Sequence, residues 1–280
     1  MTIYPFVLRF GWFEITGYGI MMMVGFLTGG WLISLELRRR RLNADYSNDM
    51  ILAALIGGVI GAKLWYVANS GDTHALFTRG GLVWYGGFVG GALAVTFNSW
   101  RLRVPFWTTA DLAAPALAAA YGLGRIGCFI VNDDYGRPTT LPWAVRFPQG
   151  LPPSTAANMQ HLFGIPIPPG LDPNTVLAVH PTQLYEATLM LGVFALLWRL
   201  RLTGKPLGWL FCVYLVCAGA ERFLIEIVRA KDDRYFGILT LAQLVSIVLI
   251  ALGVYGIAVA RKRAPEVPGD YLSKVEVVGA

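Results

Sequence analysis

Long runs of apolar residues recur along the whole chain, and they constrain its fold more than any other feature. Seven segments approach or exceed the ~18 residues that cross a hydrocarbon core as a helix. They cover 17–36, 49–69, 81–99, 107–131, 182–199, 207–228 and 237–260. Because lipid offers no partners to backbone N–H and C=O groups, each segment is predicted to be an α-helix. The sequence therefore predicts an all-α integral membrane protein with seven transmembrane helices, in which residues 1–280 form a single polytopic membrane domain.

The composition excludes other classes of protein. Hydrophobic residues make up 55% of the chain and charged residues 14%, and the mean hydropathy is +0.54, which is too apolar for an ordinary soluble domain. The formal net charge is +6, but Lys and Arg fall in short clusters between apolar runs, so we expect no nucleic-acid partner. The three cysteines and three histidines lack metal-ligand spacing, so we expect no metal and no cofactor. The first residues show no pattern typical of a removable signal peptide.

The basic clusters predict the orientation of the chain, because cytoplasmic connections carry an excess of Lys and Arg. Every second connection is basic, which predicts an N-terminus outside and a C-terminus in the cytoplasm. The outside then receives the one long connection, 132–181, whose many prolines predict an irregular outward-facing lobe between the fourth and fifth helices. The cytoplasmic clusters are Arg38 to Arg41, Arg101 with Arg103, Arg199, Arg201 and Lys205, and Arg261 to Arg263 with Lys274.

One connection departs from this charge rule. Arg229, Lys231 and Arg234 follow the sixth helix on the predicted outer side. Two readings stay open from the residues alone: Asp232 and Asp233 neutralise these charges, or the cations serve a function.

Ionisable residues also interrupt or border the apolar runs, where they are costly and therefore candidates for function. Arg222 lies 16 residues beyond Pro206, or about 24 Å along a helix, near the outer edge of a ~30 Å core. The other candidates also fall toward the outer half. The residues are Lys63, Arg125, Glu186, Glu221, Arg222 and Glu226.

Two helix faces concentrate this charge. Arg222, Glu226 and Arg229 are spaced by four and three residues, so they share a face of the sixth helix. Arg125, Cys128 and Asn132 share a face of the fourth helix at spacings of three and four, and Asp133 follows directly. Ion pairs that only join helices remain one interpretation. The other is that Arg125, Arg222 and Arg229 bind an anion such as a phospholipid headgroup, since guanidinium forks match phosphate oxygens.

Four motifs, in order along the chain, resemble the bacterial prolipoprotein diacylglyceryl transferases. They are GLGRIGCFIVNDDYGRPT, PWAVRFP, HPTQLYE and ERFLIEIVR, and the resemblance extends from GYGIMMMVGF to LTLAQLVSIVLI. It implies a multi-pass protein of the bacterial plasma (inner) membrane. It also implies transfer of the diacylglyceryl group of phosphatidylglycerol to the lipobox cysteine thiol in the signal peptide of a prolipoprotein, with release of glycerol phosphate.

The resemblance also implies roles for single residues. Arg125 matches the headgroup-binding arginine of the family's GRxGxF motif, and Arg222 matches a second essential arginine. Both are expected to stabilise the departing glycerol phosphate. The remaining residues expected to bind phosphatidylglycerol are Tyr18, Glu226, Arg229 and Asp133, the last at a position where the family often has Glu.

Three positions depart from the family pattern. Tyr85 stands where many members have His, Cys128 where many have Asn, and Ala218 where a Tyr is common. A phenol is mostly protonated at neutral pH, so Tyr85 is expected to act in catalysis as a hydrogen-bond donor rather than as a general base. Two alternatives stay open: a lipid or solute transporter using the same polar cluster, and a catalytically silent member of the family.

Overall fold

The structure is a computed structural model that describes residues 1–10, 13–76, 82–230, 234–235, 239–260 and 270–273. Most of these residues are helical. The helices are α1 Gly17–Arg39, α2 Tyr46–Ser70, α3 Trp84–Arg101, α4 Phe106–Ile130, α5 Ala156–His161, α6 Thr182–Leu200, α7 Trp209–Val228, α8 Leu241–Ala260 and α9 Asp270–Ser273. Two short hairpins accompany them, built from β1 Val7–Phe10 with β2 Phe13–Thr16, and β3 Arg234–Tyr235 with β4 Leu239–Thr240.

The seven predicted apolar segments correspond to α1, α2, α3, α4, α6, α7 and α8, each of 18 residues or more. Four of them, α1, α2, α4 and α8, are long and apolar enough by length and composition to cross a membrane. The helical, membrane-spanning class is therefore confirmed. The count of seven spans stays a prediction, because helices such as α7 carry several charged residues within their apolar sequence.

The prediction of helix alone was incomplete at the N-terminus. Strands β1 and β2 pair in antiparallel register from Val7 opposite Thr16 to Phe10 opposite Phe13. Thr16 then ends the hairpin and starts α1, because its side chain accepts a hydrogen bond from the Gly19 N–H at 3.2 Å. The hairpin thereby fixes where α1 begins, next to the N-terminal residues.

Helix α4 lies at the centre of the bundle. It packs against α1, α6 and α7, while α2 packs mainly on α3 and α8 on α7. Small residues let these helices approach closely. Ala114 and Ala118 of α4 are fully buried, and a Cβ on Gly61 of α2 would lie only 2.8 Å from the Gly90 Cα of α3.

Between α4 and α6, residues 131–181 form an irregular unit with an apolar core of its own. Tyr135, Phe147, Met159 and Val179 are buried within it. The N-terminal segment is attached to this unit, since the Asn132 side-chain amide donates to the Ile3 carbonyl at 3.0 Å. That this lobe faces outward stays a prediction.

The opposite end of the bundle carries a second apolar cluster. Leu272 of α9 is fully buried there with Leu37, Tyr46 and Leu112. The Asn43 N–H donates to the Leu272 carbonyl at 2.9 Å, which joins α9 to the loop between α1 and α2. The basic residues 261–263 and 274, and the predicted neutralising pair at 232–233, lie outside the described residues.

Candidate active site

The ends of three helices bring the predicted polar residues together. Arg125, near the C-terminal end of α4, donates from Nη1 to Asp134 Oδ2 at 2.8 Å. Its Nε and Nη2 each donate to the Tyr121 hydroxyl at 3.1 Å, and the same guanidinium forms an ion pair with Glu186 of α6. Glu186 lies almost fully buried, so this pair is far less screened by water than a surface pair.

Arg222 approaches the same carboxylate from α7. Its Nη1 lies 3.6 Å from Glu186 Oε1, and its Nη2 lies 2.6 Å from Glu226 Oε2, one turn along α7. Glu186 therefore lies between two guanidinium groups from different helices. The predicted pairing of Arg222 and Glu226 on one face of α7 is present in the structure.

Arg229 follows the last residue of α7 and forms an ion pair with Asp134. Its own carbonyl accepts a hydrogen bond from Arg137 Nε at 3.1 Å, and the Arg137 N–H donates to the Val228 carbonyl at 2.9 Å. These bonds fix the end of α7 to the start of the lobe. Burial lowers the pKa of Arg229 and the Asp134 charge raises it, with a net rise, so the guanidinium stays charged.

A glycine makes this junction possible. A Cβ on Gly136 would lie 2.7 Å from the His180 Cβ, the Thr182 Cγ2 and the Val228 carbonyl oxygen. Gly136, the last glycine of GLGRIGCFIVNDDYGRPT, is thus required by the close approach of the lobe, α6 and α7. The motif therefore includes a residue needed for packing, Gly136, as well as its charged residues.

Asp133 and Asp134 are adjacent but differ in environment. Asp134 bridges Arg125 and Arg229; burial would raise the pKa of its carboxyl, but the two guanidiniums bring it below its usual value. Asp133 has no such ion pair in the part of the chain that the structure describes. Its Oδ1 accepts the Asp134 N–H at 2.8 Å, and burial with the Asp134 charge raises the pKa of Asp133.

Tyr18 lies beside the cluster in the first turn of α1. A Cβ on Gly127 of α4 would lie 3.3 Å from the Tyr18 Cα and 3.4 Å from its ring. The phenol interacts electrostatically with Arg125 and with both aspartates. Tyr18 is 40% exposed.

Tyr85 packs against its neighbour on α3. It is 49% exposed in the first turn of α3, where its ring packs edge-on against Trp84 with centroids 5.3 Å apart. Among the described residues, no hydrogen bond or ion pair joins Tyr85 to Arg125 or Arg222. The structure thus brings together Arg125, Arg222, Glu226 and Arg229, with Tyr18 and Asp133 at the edge.

A family model described as prolipoprotein diacylglyceryl transferase matches residues 5–259. The chain belongs to this family. It is 33% identical over 279 residues to the phosphatidylglycerol–prolipoprotein diacylglyceryl transferase of Trichormus variabilis, covering 94% of this chain and 93% of that protein. The protein of the same name from Clostridium tetani is 31% identical over 257 residues, covering 89% and 95%.

Membership of the diacylglyceryl transferase family makes this chain a membrane transferase. The matched residues include the lobe and all seven long helices except Ala260, the last residue of α8. The resemblance based on the four motifs is therefore confirmed for the chain as a whole.

Three residues of the cluster were missed or given no role in the sequence analysis. Glu186 was recognised as a charge at membrane depth, in HPTQLYE, but its position between two arginines was not foreseen. Asp134 was passed over in favour of its neighbour Asp133. Tyr121 precedes Arg125 by four residues, a helical spacing that places its hydroxyl beside the guanidinium and that the sequence could have revealed.

Proposed function

We propose that this chain transfers the diacylglyceryl group of phosphatidylglycerol to the lipobox cysteine thiol of prolipoproteins and releases glycerol phosphate. The observation that carries this proposal is the meeting of Arg125, Arg222 and Arg229 at one end of the bundle, beside a partly exposed carboxylate. The names of the relatives supply the substrate class.

The headgroup phosphate is the part of the lipid that this cluster suits. Arg125 and Arg229 already share one carboxylate, so their guanidiniums are oriented to share a phosphate group. Glu186 forms an ion pair with Arg125, and Glu226 forms one with Arg222. These pairs set the directions of the two guanidiniums. Tyr18 adds a hydroxyl at the edge of the site, and Asp133 supports the loop that carries Asp134. The proposed phosphatidylglycerol-binding residues are Arg125, Tyr18, Arg229, Glu226 and Asp133.

The chemical step exchanges one bond for another. The thiol sulfur attacks the diacylglycerol carbon that carries the phosphate ester; the S–C bond forms and the C–O bond breaks, and the electron pair leaves on the phosphate. The thiol proton is released to the glycerol phosphate or to water. Arg222 and Arg125 stabilise the charge that develops on the leaving group, which is the largest catalytic contribution available to such a site.

The nucleophile comes from the second substrate, so no covalent enzyme intermediate is required. A free cysteine has a pKa of about 8.5, and a nearby cluster of cations favours its thiolate. Tyr85, on α3, is proposed to donate a hydrogen bond to the lipid headgroup or leaving group rather than to accept the proton.

The proposed setting is the bacterial plasma (inner) membrane. Seven helices cross it, with the N-terminus outside, the C-terminus in the cytoplasm and the lobe at 132–181 facing outward, all within one polytopic domain. The arginine cluster then lies at the outer interface, where a secreted prolipoprotein and the outer-leaflet headgroups meet. The alternation of basic connections along the sequence supports this orientation.

The test is reconstitution of the purified protein in vesicles that contain phosphatidylglycerol, with a peptide that carries a lipobox. We expect intact-mass spectra to show one diacylglyceryl group linked by a thioether, and no product from a matched peptide with Ser in place of Cys. Movement of lipid or peptide across the vesicle membrane, without formation of the thioether product, would support a transporter instead. An inert protein that binds both substrates would indicate a silent member of the family.

A further inference from the structure

Asp134 differs from the other carboxylates of the site in its exposure. Its side chain is 35% exposed, whereas those of Glu186 and Glu226 are 2% and 1% exposed. It nevertheless binds two guanidiniums, with Oδ2 on Arg125 and Oδ1 on Arg229. Asp134 is therefore the paired carboxylate that solvent, or a ligand arriving from solvent or lipid, reaches first.

The backbone of Asp134 is anchored independently of its side chain. The residue has a φ of 61°, its N–H donates to Asp133 Oδ1 at 2.8 Å, and its carbonyl accepts from Thr182 Oγ1 at 2.9 Å. Rotation about the side-chain bonds alone can thus withdraw the carboxylate from the arginines. No rearrangement of the loop is needed for the two guanidiniums to become available.

A carboxylate and a phosphodiester make the same demand on this pair of arginines. Each carries one negative charge and presents two terminal oxygens to a guanidinium fork. Both cannot occupy the space between Arg125 and Arg229 at once. Binding of an anionic headgroup there requires Asp134 to leave, and departure of the anion allows it to return.

We propose that Asp134 is a displaceable counter-ion that competes with the phosphate of the substrate, and of the product, for Arg125 and Arg229. This inference rests on the proposed function for the identity of the anion. It goes beyond that function by assigning a turnover role to a residue that does not touch the reacting atoms. Asp134 weakens the binding of phosphatidylglycerol and assists the release of glycerol phosphate, because it replaces the leaving anion on the two arginines.

The test replaces the carboxylate by groups that cannot compete as anions. Asp134→Asn keeps the shape and tolerates positive φ, and Asp134→Gly suits the same backbone if the Asn protein folds poorly. Asp172→Asn, at an exposed position of the lobe, is the matched control. The first measurement is the dissociation constant of glycerol phosphate for each protein in nanodiscs of a zwitterionic lipid, which needs no turnover.

We expect glycerol phosphate to bind Asp134→Asn and Asp134→Gly about two- to five-fold more tightly than the unchanged protein, the range for loss of a partly exposed competing ion pair. In the transfer assay, KM for phosphatidylglycerol and kcat should fall together, because binding is tighter and release slower. A residue that only maintained the fold would leave KM unchanged or raise it.

The outcomes separate the two claims. If the unchanged protein shows no transfer but the Asp134 variants bind glycerol phosphate more tightly, the proposed function fails and the counter-ion role stands. Equal or weaker binding of glycerol phosphate by both Asp134 variants, relative to Asp172→Asn, overturns the counter-ion role whether or not transfer occurs.

Discussion

At the scale of single residues, the site is a set of partly buried arginines paired with two buried glutamates and one partly exposed aspartate. Removing an arginine from water is costly unless it is paired with an opposite charge, and Glu186, Glu226 and Asp134 form ion pairs with the three arginines here. The same carboxylates set the directions of the guanidiniums. The charges of the arginines and carboxylates in the cluster therefore nearly cancel. The affinity of the cluster for an anion depends on which carboxylate leaves its arginine.

Asp133 provides a test of this electrostatic picture through pH. Burial and the Asp134 charge raise the pKa of its carboxyl, so the folded protein binds this proton more tightly than the unfolded chain does. Its ionised form therefore costs stability, and the cost appears as pH rises above the unfolded value of about 4. We expect Asp133→Asn to melt at a higher temperature than the unchanged protein at pH 7, with the difference shrinking toward pH 4. A melting temperature that is lower at pH 7 would contradict this assignment.

Tyr85 tests the donor role proposed for a phenol on α3. Phenylalanine keeps the ring and its packing against Trp84 but loses the hydroxyl. We expect Tyr85→Phe to slow transfer by roughly 10- to 100-fold, the size of one lost hydrogen bond to a charged group, and Tyr85→His to retain measurable activity. A loss of about 10⁴-fold or more, with a shifted pH optimum in the His variant, would mark the position as a general base.

The sequence predicted which arginines meet but not the details of their pairing. Arg222 and Glu226 are four residues apart on one helix, so the sequence alone predicts their ion pair. The position of Glu186 between Arg125 and Arg222 depends on how α4, α6 and α7 pack, which spacing does not encode. Asp133 and Asp134 could not be distinguished, because a single backbone conformation at the end of α4 decides which carboxylate points to the arginines.

At the scale of secondary-structure elements, a second charge cluster ties α1 to α6 at the end of the bundle opposite the arginine site. Glu36 of α1 is almost fully buried and accepts hydrogen bonds from Arg39 Nη2, Arg40 Nε and Arg201 Nη1, each at 2.6 Å. The Arg201 guanidinium also lies over the Trp198 ring, with its carbon 3.6 Å from the centroid. One carboxylate thus pairs with three cations at the C-terminal ends of two helices.

We expect Glu36→Gln to lower the free energy of unfolding by about 2 kcal/mol. Breaking a fully buried pair costs about 3–5 kcal/mol, and the partial exposure of Arg39 and Arg40 reduces that loss. The measurement is thermal unfolding in detergent. Glu14→Gln is the control, since Glu14 and Arg9 form an exposed pair at 3.8 Å whose loss should change little. Equal melting temperatures of Glu36→Gln and Glu14→Gln would contradict this structural role of Glu36.

Elements were predicted with uneven success. The long helices follow from apolar runs, because a bilayer leaves no alternative to a helix in such a segment. The hairpin of β1 and β2 was not predicted, since strands of four residues give too short an alternation to recognise. The short helices α5 and α9 were not predicted either. They depend on tertiary contacts such as the burial of Leu272, which the sequence pattern does not reveal.

At the scale of the whole molecule, the two charge clusters give the bundle distinct ends. Arg125 and Glu186 lie at one end of α4 and α6, and Glu36 with Arg201 lies at the other. The proposed orientation assigns the first end to the outside of the membrane and the second to the cytoplasm. Which end faces which compartment follows from the distribution of basic residues over the connections.

Labelling of introduced cysteines tests this orientation. Asn174→Cys lies in the exposed part of the lobe and Thr203→Cys in the connection between α6 and α7. In intact cells, we expect a membrane-impermeant maleimide to label position 174 above the level of the parent protein with its three native cysteines, and to leave position 203 unlabelled. Labelling at 203 but not at 174 would reverse the proposed topology.

The most direct test of the central claim follows both halves of the lipid in one reaction. Phosphatidylglycerol labelled with ¹³C in the headgroup glycerol is incubated with a lipobox peptide and either the unchanged protein, Arg125→Ala or Arg125→Lys. With the unchanged protein, we predict an unlabelled diacylglyceryl group on the peptide thiol and an equal amount of ¹³C-labelled glycerol phosphate in solution. Arg125→Ala should abolish both products with little loss of folded protein, and Arg125→Lys should restore little, because an ammonium cannot form the bidentate fork. Near-normal transfer by Arg125→Ala, or headgroup label on the peptide, would contradict the account.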